Sequence, residues 1–294
     1  MKFYKFAAIV LLLLFLTGAA FVKNFDFLKR IPATTRVKHL TVNPQKGIYS
    51  TVWTARVKRF NDLIRIADET EINTIVIDVK DSDTYLDDYI KNLVGELHKK
   101  NIYAIARIVV FQDNSQIKNH PDWYFKKEDG SLWQDRRGWY WLNPAERETW
   151  DYNVEIAKKT IDYGFDELNF DYIRFPAFAK NDDVDFPPRL AGQNGMLNVP
   201  LVKNQIISEF ANYLTSELKK YDPEIILSVD LFAYSMLKID DLGIGQKFIE
   251  LYDYFDYVSP MIYPSHYIFG NFGFENPAEY PYEVIVGTIE KGKT

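Results

Sequence analysis

The sequence predicts an α/β protein, a (β/α)8 TIM-type barrel of which about six β/α units are spelled out. Two observations lead there. From Gly47 onward, short runs rich in β-branched and aromatic residues alternate with stretches of helical periodicity. The runs are almost continuously apolar, as strands paired in parallel beneath covering helices must be. A third observation separates a barrel from an open doubly wound sheet: no glycine-rich phosphate fingerprint follows the first strand. Gly243-Ile244-Gly245 comes late in the chain and is half of such a motif, so it reads as a loop.

The strands fall at 48–51, 74–80, 103–111, 167–175, 225–232 and 257–263. Between the first two, 57–69 puts Val57, Phe60, Leu63, Ile64 and Ala67 on one helical face. The segments 87–99, 147–163, 204–220 and 246–254 repeat that pattern, and 282–289 reads as the beginning of a sixth helix. A closed barrel needs eight units. No seventh or eighth strand is spelled before Thr294, so 47–294 is expected to be a C-terminally incomplete barrel domain, with an open doubly wound sheet as the alternative.

Ahead of it, Lys2 and Lys5 precede an apolar run over 6–22, the order of a secretory n-region and h-region. Residues 1–22 are expected to be a signal peptide or membrane anchor, and 23–46, with Pro32 and Pro44, a linker. Lys23, Lys29, Arg30, Arg36 and Lys38 on the far side oppose export by the positive-inside rule. Export remains the expectation, with the protein extracytoplasmic, secreted or anchored at the cell envelope. The chain has no cysteine, which excludes disulfides, thiolate nucleophiles, lipoprotein anchoring and iron–sulfur clusters. Its net charge of −6 argues against nucleic acid as a partner.

Polar residues on otherwise apolar strands mark the site, because the C-terminal strand ends form the mouth of such a barrel. Alternation places Asp78 with Lys80, Asn169 with Asp171, Ser228 with Asp230, and Ser259 with Tyr263 on common faces. With Arg107, the inward set is Asp78, Lys80, Arg107, Asn169, Asp171, Asp230 and Tyr263. Carboxylates on three strands near one end are costly to bury without a purpose. Glycosidic bonds are cut by one protonated and one ionised carboxyl group. Asp171 and Asp230 stand on consecutive strands, which lie ~4.8 Å apart, close to the spacing of a retaining pair. Asp171 is then the nucleophile and Asp230 the acid/base, with Arg107 and Lys80 keeping Asp171 ionised. Pairing of Asp78 with Asp171 instead would widen the gap toward the inverting range.

The loops suit a carbohydrate substrate. The segment 112–146 carries His120 and four of the six tryptophans, Trp123, Trp133, Trp139 and Trp141, in a chain that is 16% aromatic. Such rings offer flat platforms for sugars, or else pack the loop's own core. Trp133, Trp141, Arg174, Tyr263 and His266 are therefore candidate substrate contacts beside Asp78, Lys80, Arg107 and Asn169. A second long loop, 177–203, contains Pro187-Pro188. Asp182, Asp183 and Asp185 within it, like Asp81 and Asp83, read as solvated. Asp166 and Glu167 precede their strand and are expected to face solvent or cap a turn.

Five motifs in order resemble a bacterial family of glycoside-hydrolase-like TIM-barrel domains, distantly similar to the α-amylase-like clan and to hydrolase-like envelope lipoproteins. They are Val76-Ile77-Asp78-Val79-Lys80-Asp81, Ala106-Arg107-Ile108-Val109-Val110-Phe111, His120-Pro121-Asp122-Trp123, the run from Gly164-Phe165-Asp166-Glu167 through Asn169-Phe170-Asp171-Tyr172-Ile173-Arg174-Phe175-Pro176, and Ser259-Pro260-Met261-Ile262-Tyr263-Pro264-Ser265-His266-Tyr267. The resemblance implies a (β/α)8 barrel acting on carbohydrate, in a family whose members continue through two further strands. The fourth motif is also similar to the chitinase signature, but Ile173 stands where that signature has its catalytic Glu, which disfavours substrate-assisted chitin cleavage.

Two other readings compete with an exported glycoside hydrolase. One is a catalytically inactive carbohydrate-binding barrel of the envelope. The other is a Mg²⁺ enzyme using Asp78, Asp171 and Asp230, which the positive charges of Lys80 and Arg107 oppose. His39, His98, His120 and His266 show no paired zinc spacing. No cofactor or metal is expected.

Overall fold

The structure is a computed structural model that describes residues 45–293 apart from 82, 180–181, 186–198 and 239. The expected signal peptide or anchor, nearly all of the linker, and Pro187-Pro188 lie outside the described residues. Among the described residues no helix is long and apolar enough to cross a membrane.

Six strands form one sheet in the order β1 (Gly47–Ser50), β2 (Thr74–Lys80), β3 (Tyr103–Val109), β4 (Glu167–Asp171), β5 (Ile226–Phe232) and β6 (Tyr257–Met261). Every pairing is parallel. The order never reverses, so the sheet has no switch point of the doubly wound kind. Residues of β1 and β6 line the same cavity, which means the sheet curls. It is a half-barrel of six strands, and the count of eight expected for a closed barrel is not reached among the described residues.

Helices α1 (Val52–Ala55), α2 (Phe60–Glu69), α3 (Asp88–Lys99), α4 (Arg147–Asp162), α5 (Val199–Tyr221) and, after the one-turn α6 (Tyr234–Leu237), the short α7 (Phe248–Leu251) contribute to the core against the sheet, while α6 and α8 (Pro281–Gly292) belong to a separate small cluster around Tyr267 and Val284. The helical period explains which sides they bury. Ile90, Val94 and Leu97 of α3 meet the sheet, as do Trp150, Val154, Ala157 and Ile161 of α4. The opposing strand residues are Ile75, Ile77, Ala104, Ala106, Ile108, Leu168, Phe170, Leu227 and Val229, all fully buried. Each large one contributes about 1.5–3 kcal/mol of transfer free energy. The Asp87 side chain caps α3 by accepting from the Ile90 amide at 3.1 Å. Gly164, at φ +92°, ends α4 and turns the chain straight into β4.

The elements differ from expectation mainly at their ends. The strand expected over 167–175 stops at Asp171, because Tyr172 takes a left-handed φ of +56°. The helix expected over 57–69 starts at Phe60 and leaves Val57 exposed. α6 has one turn, too short for periodicity to reveal.

One departure moves a candidate residue. Asp78 pairs with Arg107, but Lys80 pairs with Ile108, so β2 carries one extra residue at Val79. The bulge breaks the alternation that put Lys80 beside Asp78. Lys80 is instead fully buried outside the concave face, where its ammonium donates to the carbonyls of Val109 and Val110 and pairs with Asp113 at 2.7 Å. Lys80 is therefore not a substrate contact, nor does it neighbour Asp171; it holds the end of β3. Breaking a buried pair leaves the surviving charge uncompensated. Lys80→Met is expected to destabilise the protein by about 3–5 kcal/mol in urea unfolding.

Candidate active site

The register places inward-facing side chains in rows across the sheet. Asp78 lies beside Arg107, Arg107 beside Asn169, Asn169 beside Ser228, and Ser228 beside Tyr257. A deeper row runs from Val76 through Ile105 to Glu167. Toward the strand ends, Asp171 follows Asn169, and Asp230 follows Ser228 beside Ser259. Val76, Ile105, Arg107, Glu167, Asn169, Asp171, Asp230 and Ser259 of these rows line a cavity of about 560 Å³ together with Tyr49 of β1 and Tyr257, Met261 and Tyr263 at the β6 side. Its floor is apolar or hydrogen-bonded, and its upper part is acidic.

Arg107 organises the acidic part. Its Nη1 donates to Asp78 Oδ1 at 2.9 Å, its Nη2 donates to Asp171 Oδ2, and its Nε lies 3.9 Å from Asp230 Oδ2. Burial works against the charge of this guanidinium, but Asp171 and Asp78 outweigh it and raise its affinity for its proton. Asp78 also accepts from the Tyr49 hydroxyl. Burial pushes the Asp78 carboxyl above its usual range, against the pull of Arg107 and Tyr49. Burial likewise raises the Tyr49 hydroxyl. Asp78 is thus committed to two partners and acts as an anchor for Arg107.

Asp171 and Asp230 have different environments. Both oxygens of Asp171 accept hydrogen bonds, Oδ2 from Arg107 and Oδ1 from the Tyr172 amide at 2.6 Å. Asp230 accepts from Asn169 Nδ2 at 3.0 Å. Its pKa is pushed up to about 7, first by burial and then by the negative charge of Asp171, against the Asn169 hydrogen bond and Arg107. The pair therefore combines a carboxylate held by donors with a carboxyl group that keeps its proton to near neutrality.

Arg107, Asn169, Asp171, Asp230 and Tyr263 line this cavity, Asp78 is bonded to its lining residues Tyr49 and Arg107, and the other candidates stand apart from it. Trp133 packs against Phe125 and Phe178 in the core. Trp141 is also buried, with its indole N–H donating to Asp135 at 3.0 Å. Neither presents a platform to a sugar, because loop 112–146 is long enough to need its own core. Arg174 lies beyond the end of β4 and does not line the cavity. It stacks over Trp141, Tyr172 and Phe232 with its guanidinium carbon 4.6–5.2 Å from their ring centroids. His266 is exposed beside Tyr263, at 5.1 Å between ring centroids, and does not line the cavity.

Glu167 and Asp166 overturn the expectation of solvent exposure. Glu167 is buried at the cavity floor, where Tyr103 donates to it at 3.3 Å and Ser228 donates to its other oxygen. Its parity with Asn169 and Asp171 was the available signal. Asp166 is buried on the other face, accepting from the Ala104 amide at 2.8 Å and bonded to His98 at 2.9 Å. Tyr49 and Tyr257 are cavity residues outside the expected set; the parity of Tyr257 with Ser259 and Tyr263 was its signal, and Tyr49 had none. Among the described residues no group of three or more acidic or histidine side chains is arranged to hold a metal ion. The guanidinium of Arg107 stands where a cation shared by Asp78, Asp171 and Asp230 would have to sit.

The family described as "Putative glycosyl hydrolase domain" matches residues 83–294. The chain belongs to that family. The match holds Arg107, Asn169, Asp171 and Asp230, and begins beyond Tyr49 and Asp78. A crystal structure of a hypothetical protein from Ruminiclostridium thermocellum is similar at 28% identity and a TM-score of 0.51, covering 68% of this chain and 100% of that one. An α-galactosidase from Lactobacillus brevis is similar at 16% identity and TM-score 0.47, over 63% of this chain and 27% of that enzyme. An α-amylase from Lactobacillus plantarum is similar at 16% identity and TM-score 0.45, over 67% of this chain and 47% of that enzyme. This chain spans less than half the length of either glycosidase. No curated protein matches it.

The raised Asp230 pKa has a consequence for stability. An unfolded aspartate releases its proton near pH 3.8, the folded one near 7, so the native state binds more protons between those values. Stability contributed by this group is full below the lower value and is lost as pH rises toward the upper one. Asp230→Asn removes that loss. It is expected to be more stable than the unaltered protein at pH 8, by on the order of 1–2 kcal/mol, and about equal to it at pH 4, measured by urea unfolding.

Proposed function

We propose that this chain is a glycoside hydrolase that works by double displacement, with Asp171 as nucleophile and Asp230 as acid/base. The observation that carries the reading is the placement of two carboxyl groups of unlike environment against one guanidinium. Both reach Arg107 from neighbouring strands, which corresponds to a separation of roughly 5–6 Å, the spacing of a retaining pair. In the first step an oxygen of Asp171 attacks the anomeric carbon while Asp230 gives its proton to the departing glycosidic oxygen. In the second, Asp230 takes a proton from water, the water oxygen attacks the same carbon, and the Asp171 ester is released. Arg107 keeps the attacking carboxylate aligned. Tyr49, Tyr257 and Tyr263, each about half exposed, supply the aromatic faces for a sugar ring in place of the buried tryptophans.

The order of Lys2, Lys5 and the apolar run 6–22 supports action outside the cytoplasm, on a poly- or oligosaccharide of the envelope or its surroundings. A fusion of residues 1–46 to a reporter that is active only after export is expected to be active, and an inactive fusion would remove this part of the reading.

The catalytic assignment is tested with a panel of aryl glycosides and oligosaccharides. On any substrate that is cleaved, Asp171→Asn is expected to abolish turnover. Asp230→Asn should lower kcat by about 10²–10⁴-fold on poor leaving groups and much less on activated ones. The alkaline limb of the kcat profile is expected near pH 7, where Asp230 loses its proton. Binding of oligosaccharides with no turnover, unchanged in both variants, would instead describe an inactive carbohydrate-binding barrel.

A further inference from the structure

The double-displacement reading leaves one buried acid at the cavity without a task. Glu167 is only 4% exposed, yet it sits on the same strand face as Asn169 and Asp171 and lines the cavity floor. A carboxylate there is costly unless donors satisfy it, and two do. Tyr103 donates to Oε2 from β3, and Ser228 donates to Oε1 from β5.

We propose that Glu167 is a positioning residue for Asp230, acting through Ser228 and Asn169. The assignment of Asp230 as acid/base rests on the proposed function; the hydrogen-bond chain does not. A hydroxyl has one hydrogen, and a carboxylate only accepts. Once Ser228 gives its hydrogen to Glu167, its oxygen can only accept, and the donor it faces is Asn169 Nδ2 at 3.1 Å. The Asn169 amide is thereby fixed with its NH₂ group toward β5. Its second hydrogen goes to Asp230 Oδ1 at 3.0 Å. Without Glu167, Ser228 is free to donate to Asn169 instead, and the amide can turn its oxygen toward both β5 residues. The order of protons along the chain is therefore set from the buried end.

Two opposed effects reach Asp230 from this device. Through the chain it receives a donor, which favours its anion. Through space it feels the charge of Glu167, which adds to that of Asp171 and opposes Arg107. Around Glu167 itself, burial raises the pKa, Ser228, Tyr103 and Gln45 oppose it by hydrogen bonding, and the charge of Asp256 adds to the rise. Two substitutions separate the effects. Glu167→Gln keeps an acceptor for Ser228 and a donor toward Tyr103 but removes the charge. Ser228→Ala keeps the charge but cuts the chain.

The test follows Asp230 directly. Aspartate carboxyl carbons are labelled with ¹³C in the full chain, the Asp230 resonance is identified by its loss in Asp230→Asn, and its titration midpoint is read by NMR. Glu167→Gln is expected to lower the midpoint by roughly half a pH unit or more, and Ser228→Ala to raise it by a similar amount. Adding Glu167→Gln to Ser228→Ala should still lower the midpoint, since only the charge effect is left. An Asp230 midpoint that stays put in both single variants, in protein whose methyl signals remain dispersed, overturns the proposal. No substrate is involved, so the two readings can fail separately. Midpoints that move as stated in a protein that cleaves no glycoside uphold the relay and overturn the hydrolase. Turnover whose alkaline limb is the same in all three proteins upholds the hydrolase and overturns the relay.

Discussion

The concave face depends on a single guanidinium. Asp78, Asp171 and Asp230 come from three strands, and buried carboxylates so close together repel. Arg107, on the strand between Asp78 and Asp171, donates to those two and approaches the third. Arginine suits the position because its planar fork reaches separate acceptors at once and keeps its charge when buried. Lysine would offer one point charge on a flexible stem. The half-barrel can thus keep an acidic interior without a metal ion among these side chains, and one of the acids is left partly uncompensated. Burial, and after it the charge of Asp171, raises Asp230 toward neutrality and gives the pair its chemical asymmetry.

The row structure of the parallel sheet turns this local interaction into a site. Neighbouring strands run in register with little stagger, so Asp78, Arg107, Asn169 and Ser228 form a continuous line of polar side chains. Glu167 lies one row below and Asp171 and Asp230 one row above. The rows are joined vertically by Arg107 and by the Glu167–Ser228–Asn169 chain. The convex face of the same strands is apolar throughout and is sealed by α3, α4 and α5. Rigidity on one face allows strict positioning on the other.

The aromatic residues divide by the same logic. Loop 112–146 cannot be covered by the barrel helices, so Trp133 and Trp141 build its interior, with Phe125, Phe178 and Tyr172 around them. Arg174 closes that cluster by stacking on Trp141 and Tyr172. The rings that do face the cavity are tyrosines on β1 and at β6, whose hydroxyls tolerate a wet, polar rim. Tyr172 links the two regions, since its ring packs on Trp141 in the loop core and its amide donates to Asp171.

Sequence alone determined the strand–helix alternation, the parallel pairing and the facing of Asp78, Arg107, Asn169, Asp171 and Asp230, because period-two alternation is a local property of an extended chain. Wherever the backbone leaves that period, the inference fails for a physical reason. An extra residue at Val79 sends Lys80 out of the cavity, and β4 ends at Asp171, before Arg174. Glu167 was legible by parity but stood at the start of its strand, where strand and turn look alike. The use of the tryptophans and the partnership of Tyr49 with Asp78 were decided only by the tertiary structure. Each depends on which groups from distant segments share one desolvated space, and no local pattern encodes that.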